Sequence, residues 1–226
     1  MTRPLAVLRP EPGNMATAER IEAFGVRAIR LPLFSVRPLA WTPPDPAEHD
    51  ALLLTSANAV RFGGPDLADL LPLPVLAVGE KTAEAARLAG FGVMAAGNTD
   101  AAAMLALATA RTFSRVLHIG GRDRAIEPGG PVTRAIAVYA SEEVPIPAHQ
   151  VLRLQDSIAL LHSARAATRL AALVDAQPIR RSSIGIAALS PAVADAAGPG
   201  WATITVAANP TDIALIEAAL IESARD

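Results

Sequence analysis

The sequence predicts an α/β protein with two domains of similar plan, each built on a parallel sheet. Short apolar runs typical of buried strands alternate along the chain with segments of helical periodicity. Three segments also recur in the same order at a nearly constant, long offset. A long fixed offset indicates duplicated folding units rather than a short-period solenoid. The 226 residues leave room for two domains of ordinary size.

The amino-terminal strand, helix and strand predict one βαβ unit. Residues 5–8 are an apolar run that ends in a proline-rich loop containing Arg9. Asn14 is expected to cap the following helix and Gly25 to end it. Residues 28–31 then predict a second strand. A unit of this kind favours a parallel sheet covered by helices.

Two proline-flanked extended segments, residues 32–38 and 144–147, are expected to carry the chain between the domains. They predict a discontinuous first domain, residues 1–34 with 146–226, and an inserted second domain, residues 35–145. The simpler alternative is one sequential split near Glu143.

The remaining strands are predicted from apolar runs between turn residues. They are expected at residues 51–54, 75–78, 93–95, 116–119, 135–139, 157–161, 184–189 and 203–206. The pair at 116–119 and 135–139 mirrors the pair at 5–8 and 28–31. Each domain would therefore have a full set of strands.

The repeated segments fall mostly at predicted junctions between strand and helix. Residues 52–62 return as 159–170, residues 76–86 as 187–197, and residues 96–100 as 208–212. Two similar domains that face each other form a cleft, which is the usual place for a ligand.

Composition excludes several classes of function. A net charge of −2 argues against a nucleic-acid or anionic-membrane surface, and the absence of Cys excludes disulfides and thiolate sites. The sequence has neither a long apolar run nor a signal-peptide plan, so we expect a cytoplasmic protein without a membrane partner. The four histidines lack metal-ligand spacing, and no phosphate-loop motif is present, so we expect neither metal nor nucleotide cofactor.

Arginine dominates the basic residues, with nineteen Arg and one Lys. One interpretation of this composition is coding bias, since the chain is also rich in alanine. Alternatively, guanidinium groups suit a ligand with many carboxylates, since they can bind a carboxylate through two hydrogen bonds.

The candidate binding residues lie in loops that follow predicted strands. Parallel α/β sheets bind ligands at the carboxyl ends of their strands, where helix amino termini also point. The candidates are Arg9, Ser56, Ala57, Asn58, Gly79, Lys81, Thr82, Gly120, Gly121, Arg122, Ser163, Ala164, Arg165, Ser190 and Ala192. The alternative for the hydroxyl and amide groups is helix capping, and for residues 120–124 a solvated turn.

Tyr139, the single tyrosine, ends an apolar strand. Such a residue commonly packs its ring and bonds locally, and the alternative is a functional hydroxyl. Because the sequence has no recognisable nucleophile–base triad, any catalysis would depend on positioning and electrostatics.

These segments together resemble the uroporphyrinogen-III synthase family. The resemblance is carried in order by residues 55–60, 77–85, 97–99, 120–122, 138–139, 163–166, 187–194 and 210–211. It implies two flavodoxin-like domains joined by a two-stranded linker, the first domain discontinuous, with the active site in the interdomain cleft. It also implies a heme-biosynthesis reaction that needs no cofactor, the cyclisation of hydroxymethylbilane to uroporphyrinogen III with ring D inverted and water lost.

By position, the resemblance implies that Tyr139 assists the leaving hydroxyl and that Thr82, Ser56 and Ser163 line the cleft. The chain departs from the family at 190–193, where Ala192 and Val193 remove a hydroxyl, and at 126–131, where proline and glycine replace an expected helix. These departures motivate an alternative, a non-catalytic tetrapyrrole- or anion-binding protein on the same scaffold. We expect a monomer that acts on a small polycarboxylate.

Overall fold

The computed structural model describes residues 2–97, 101–124 and 126–224, so part of the repeated segment at 96–100 lies outside the described residues. The chain divides into two compact units. The first unit comprises Met1–Ser35 with Glu143–Asp226, and the second unit comprises Val36–Glu142.

The strands and helices follow one another in alternation through most of the chain. The strands are β1 (Leu5–Val7), β2 (Ala28–Arg30), β3 (Phe34–Pro38), β4 (Ala51–Leu54), β5 (Val75–Val78), β6 (Val93–Gly97), β7 (Val116–Gly121), β8 (Val132–Glu143), β9 (Ile158–Leu161), β10 (Gly185–Ala188) and β11 (Thr203–Val206). The α-helices are α1 (Gly13–Ala23), α2 (Ala57–Phe62), α3 (Glu80–Leu88), α4 (Ala101–Ala110), α5 (Ala148–Leu152), α6 (Ala164–Asp175), α7 (Pro191–Ala197) and α8 (Asp212–Ser223).

The first unit contains a five-stranded sheet in the order β11-β10-β9-β1-β2. Every neighbouring pair in it is parallel. Numbered by their occurrence within this unit, the strands run 5-4-3-1-2, which is the flavodoxin order read from the other edge. The strand order reverses between β1 and β9.

The second unit contains a sheet in the order β3-β8-β7-β4-β5-β6. The neighbours from β8 to β6 are parallel. Here β7 and β8 take the places of β1 and β2, and β4, β5 and β6 take those of β9, β10 and β11. The prediction of two flavodoxin-like parallel sheets is therefore confirmed.

Apolar burial on both faces of each sheet stabilises the units. On one face of the first sheet Leu5 and Val7 pack with Ile21 and Leu215, and on the other face Leu8 packs with the α6 side chains. These strand residues are fully buried. Parallel strands covered on both sides have near-continuous apolar sequences, which is why short runs predicted them correctly. Burial of such surface contributes about 25 cal/mol per Å².

Strand β8 is longer than the predicted strand at 135–139 and extends to Glu143 beside β3. The second proline-flanked segment, residues 144–147, therefore begins immediately after β8 ends. Between β7 and β8, the described part of the connection has only the 3₁₀ turn Arg122–Arg124. In the first unit the corresponding connection is α1.

The prediction that Asn14 caps a helix is wrong. Helix α1 begins at Gly13 with Pro12 at the N-cap, so Asn14 lies inside the first turn and is fully buried. Its amide donates to the carbonyl oxygens of Val7 at 2.8 Å and Arg9 at 2.9 Å. Asn14 therefore fixes the path of the chain as it leaves β1.

Within the described part of the chain, none of the helices combines the length and the apolar character needed to cross a membrane.

Candidate functional site

The loop after β4 contains three of the predicted residues. Ser56 occupies the N-cap of α2, and its hydroxyl accepts a hydrogen bond from the Asn58 amide at 3.2 Å. The capping interpretation therefore holds for Ser56. Ala57 is buried, and the Asn58 side chain accepts a hydrogen bond from Arg61 at the surface.

Thr55, just before this cap, contacts a buried histidine. Thr55 Oγ1 lies 3.2 Å from Nε2 of His118, a fully buried residue of β7. The amide of Ile126 donates to His118 Nδ1 at 3.3 Å, so the ring proton is assigned to Nε2 and points at Thr55. Burial lowers the pKa of His118 to about 4, so the ring is neutral near pH 7.

The loop after β5 presents its residues unequally. Gly79 occupies the N-cap of α3, so no side chain caps this helix. Its φ angle of 86° lies in the left-handed region, which favours glycine. Lys81 is exposed, whereas Thr82 is only 5% exposed. The alternative that Thr82 caps α3 does not hold, because Gly79 occupies the N-cap.

The end of β7 packs closely against Tyr139. Gly121 pairs with Tyr139 of β8, and a Cβ built on Gly121 would lie 2.6 Å from the tyrosine ring. The ring is 8% exposed and packs tilted against Phe62 with centroids 6.3 Å apart. Gly120 is similarly close to the His118 ring. Both glycines are thus needed to fit neighbouring rings.

Arg122 follows these glycines and is about half exposed. Its guanidinium lies 3.6 Å from Asp123 and 4.0 Å from Glu142. Exposed pairs at such distances contribute little to stability. Arg122 therefore keeps a side chain that solvent reaches.

In the first unit, the loops after β9 and β10 follow the repeat. Ser163 caps α6 by accepting a hydrogen bond from the Ala166 amide at 3.3 Å. Ala164 and Arg165 are exposed, and the Arg165 guanidinium lies 4.4 Å from the centroid of the Phe34 ring. Ser190 occupies the N-cap of α7, and Ala192 is exposed.

Arg165 also borders a cavity of about 460 Å³ beside α6. Its lining residues are Glu143, Arg165, Thr168, Arg169, Ala172 and Leu173. Arg169 lies 5.4 Å from the same Phe34 ring and pairs with Glu143. Two of the residues that line the cavity, Arg165 and Arg169, therefore also contact the Phe34 ring.

Arg9 joins a cluster that the sequence did not predict. Asp212 Oδ1 accepts hydrogen bonds from Arg9 at 3.2 Å, Thr17 at 2.8 Å and His162 Nε2 at 2.8 Å. Arg20 donates to Oδ2 of the same carboxylate at 2.5 Å. We call these five residues the Asp212 cluster. It lies where the strand order of the first sheet reverses, since Arg9 follows β1 and His162 follows β9.

The charges of this cluster follow from its contacts. Burial alone would raise the pKa of Asp212, but hydrogen bonds from His162 and Thr17 and the nearby Arg9 charge hold the pKa well below its usual range. Burial lowers the pKa of His162, despite the opposing influence of Asp212. We therefore assign an ionised Asp212 and a neutral His162 near pH 7. Because the ionised Asp212 carboxylate can only accept, the 2.8 Å contact places a ring proton on His162 Nε2.

The repeat gave one signal for this cluster, because His162 and Asp212 each stand in a repeated segment. The contact itself joins residues from opposite ends of the chain, such as Thr17 and Asp212. Across residues 2–97, 101–124 and 126–224, no group of three or more His, Cys, Asp or Glu side chains is arranged to hold a metal ion.

The fold and these loops define a class, a two-unit α/β protein with flavodoxin strand order and polar loops at the carboxyl ends of both sheets. A family model described as "Uroporphyrinogen-III synthase HemD" matches residues 15–217. The chain belongs to the uroporphyrinogen-III synthase family, whose members are lyases that cyclise hydroxymethylbilane.

Solved structures were found that are similar to this chain over nearly its whole length. Uroporphyrinogen-III synthetase of Helicobacter pylori is 18% identical over 99% of this chain and 100% of that chain, with a TM-score of 0.64, which supports the fold. A mutant uroporphyrinogen III synthase of Thermus thermophilus is 15% identical over 98% of this chain and 99% of that one, with a TM-score of 0.49. No curated protein matches the chain. Family membership favours the enzyme over the non-catalytic alternative.

Proposed function

We propose that this chain closes hydroxymethylbilane into uroporphyrinogen III, with Tyr139 as the catalytic hydroxyl and the strand-end loops of both units as the binding residues. The observation that carries the proposal is the family match over residues 15–217. The two flavodoxin-like sheets support it, because such sheets bind ligands at the carboxyl ends of their strands.

The reaction expels the hydroxyl group of the linear substrate as water. The electron-rich pyrrole supplies the electron pair and carries the developing positive charge, so the leaving oxygen needs one proton. Tyr139 is suited to donate or share that proton, since Gly121 leaves room for its ring at the end of β7. Hydrogen-bonding help of this kind contributes about 10²- to 10⁴-fold.

The other requirement is to hold the substrate so that inverted ring closure outruns the spontaneous reaction. The carboxylates of the substrate would be bound by cationic side chains at the strand ends. Arg9 and Arg165 in the first unit, and Lys81 and Arg122 in the second, have partly or fully exposed side chains there. Backbone amides near Gly79 and Ser190 add neutral donors.

Thr82, in the first turn of α3 after β5, is included among the proposed binding residues, and its side chain is 5% exposed. We further propose that the domains are residues 1–34 with 146–226 and residues 35–145, that the protein is monomeric, and that it works in the cytoplasm without a cofactor.

Incubation of purified protein with hydroxymethylbilane tests the activity. The products are oxidised to porphyrins and the isomers separated by chromatography. We expect the type III isomer without any added cofactor. If only the spontaneous type I isomer forms, the proposed activity is wrong.

A further inference from the structure

Arg9 is held in place from three directions at the end of β1. Its backbone carbonyl accepts the Asn14 amide at 2.9 Å, and its Nη1 donates to Asp212 at 3.2 Å. The rest of the guanidinium lies against Gly13, where an added Cβ would be 2.5 Å from Arg9 Nε and 2.8 Å from Nη2. A long and flexible side chain is therefore fixed in one orientation before any ligand binds.

The Asp212 cluster carries more positive than negative charge. The Arg9 and Arg20 guanidiniums share the single carboxylate of Asp212. His162 is neutral near pH 7 because burial lowers its pKa, and Thr17 is uncharged. One positive charge is left over, and the side chains of Arg9 and Arg20 are 33% and 47% exposed.

Arg9 also keeps unused hydrogen-bond donors. Of the five N–H groups of a guanidinium, the contact with Asp212 engages only Nη1, and no residue in the described part of the chain accepts a hydrogen bond from Nε or Nη2. These two atoms form the edge of the guanidinium that lies beside Gly13, where the missing side chain leaves them without an acceptor among the described residues. Such an edge can bind both oxygens of a carboxylate.

We propose that Arg9 and Arg20 form a subsite for one carboxylate of the substrate, and that Asp212 is the positioning residue that fixes Arg9 there. This proposal rests on the proposed function, from which the ligand class, a polycarboxylate tetrapyrrole, is taken. Asp212 does not touch the ligand. It removes the conformational freedom that Arg9 would otherwise lose on binding, while Thr17 and His162 hold the carboxylate itself.

A purely structural role is the rival explanation, because the same contacts join α1 to α8. The two roles differ in what Gly13→Ala does. That substitution leaves every charge of the cluster in place but puts a methyl group where the Arg9 guanidinium lies. If the cluster is only structural, Gly13→Ala lowers the stability of the protein and leaves its affinity for the ligand unchanged. If the cluster is a binding subsite, Gly13→Ala weakens ligand binding.

The experiment uses Arg9→Ala, Gly13→Ala, Asp212→Asn and the double variant Arg9→Ala/Gly13→Ala. Binding of uroporphyrin III, a stable polycarboxylate macrocycle, is measured by titration calorimetry, and KM and kcat are measured with hydroxymethylbilane. We expect Kd and KM to rise about tenfold in each single variant, the loss of one charge-assisted hydrogen-bonding contact, with kcat changed less than KM. The double variant should bind no more weakly than Arg9→Ala, because both changes remove the same interaction.

Asp175→Asn is the matched control. Asp175 pairs with Arg181 through both of its oxygens at the carboxyl end of α6, in the same unit. Loss of this ion pair in Asp175→Asn should leave Kd and KM unchanged.

Unchanged Kd in Arg9→Ala or Gly13→Ala overturns the subsite, as does a loss of thermal stability in Asp212→Asn without a change in affinity. Wild-type protein that binds uroporphyrin III but yields only the type I isomer contradicts the proposed function alone. In that case the binding data still decide the subsite.

Discussion

Thr55 Oγ1 lies 3.2 Å from His118 Nε2 where the strand order of the second sheet reverses, between β7 and β4. In the repeat, Thr55 corresponds to His162 of the first unit. The Nε2 atom of His162 donates a hydrogen bond to Asp212. Both units therefore place a histidine hydrogen bond just before the serine that caps the next helix. Since the Ile126 amide fixes the His118 proton on Nε2, Thr55 Oγ1 accepts that bond and its own proton remains available to a ligand.

We predict that Thr55 contributes a hydrogen bond to a substrate carboxylate. Thr55→Val, which keeps the shape, should raise KM about three- to tenfold, the effect of one lost hydrogen bond. Thr55→Ser, which keeps the hydroxyl, should raise KM less. Steady-state kinetics with hydroxymethylbilane measures both. Equal KM values for Thr55→Val and the wild type would remove Thr55 from the binding residues.

The stability of the second unit should depend on His118 below neutral pH. Burial lowers its pKa to about 4 in the folded state from an ordinary value of 6.5. The unfolded chain therefore binds a proton first, and stability falls as pH falls from about 6.5 to about 4, by about 3 kcal/mol when complete. Above pH 6.5 His118 should have no effect on the pH dependence.

Urea unfolding followed by Trp41 fluorescence measures this effect. Trp41 lies in the second unit, and Trp201→Phe removes the other tryptophan. In that background His118→Leu should flatten the pH dependence between 6.5 and 4, leaving the part due to His49, whose pKa burial also lowers. The control is His149→Leu, an exposed position in the first unit. An unchanged slope in His118→Leu would contradict the assignment.

Gly121 should be required for activity because of Tyr139. Gly121→Ala places a Cβ 2.6 Å from the tyrosine ring and must displace it. We expect a stability loss of about 1 to 3 kcal/mol, typical of overpacking, and turnover reduced at least as much as in Tyr139→Phe. Gly129→Ala is the control, since its added Cβ meets nothing within 4 Å. Normal turnover in Gly121→Ala would separate this glycine from catalysis.

Tyr139→Phe tests the catalytic hydroxyl directly. The ring remains packed against Phe62, so we expect stability to change by less than about 0.5 kcal/mol, as for substitutions that spare packing. Turnover should fall by about 10²- to 10⁴-fold if the hydroxyl assists the leaving group. Single-turnover kinetics measures the fall, and thermal unfolding monitors stability. A wild-type rate would exclude Tyr139 from catalysis.

Sequence reasoning recovered the sheets better than the side-chain contacts. Strands β4, β5 and β11 begin and end at their predicted residues, because buried parallel strands are short apolar runs between turn residues. The duplication also gave the equivalence of β4 with β9 and of β5 with β10, which depends only on order along the chain.

The contacts depend on which face of a helix meets which strand, and one sequence does not fix this. Thr82 was expected to bind the ligand, and the structure adds that its side chain, in the first turn of α3, is only 5% exposed. Asn14 was expected to cap α1, but the N-cap is Pro12, two residues earlier. Asp212 binds Thr17 and Arg9 across nearly the whole chain length, so no local pattern could reveal the cluster.

Hydrogen exchange with and without uroporphyrin III tests the proposal that a polycarboxylate ligand binds at the carboxyl ends of the strands in both sheets. We expect the ligand to slow exchange of backbone amides in residues 55–58, 79–82 and 120–122 of one unit and in residues 162–165 and 189–192 of the other. Amides at the opposite strand ends, such as residues 48–50 and 181–184, should be unchanged. Protection confined to those opposite ends, or to a single unit, would show that the ligand does not bind at the carboxyl ends of both sheets.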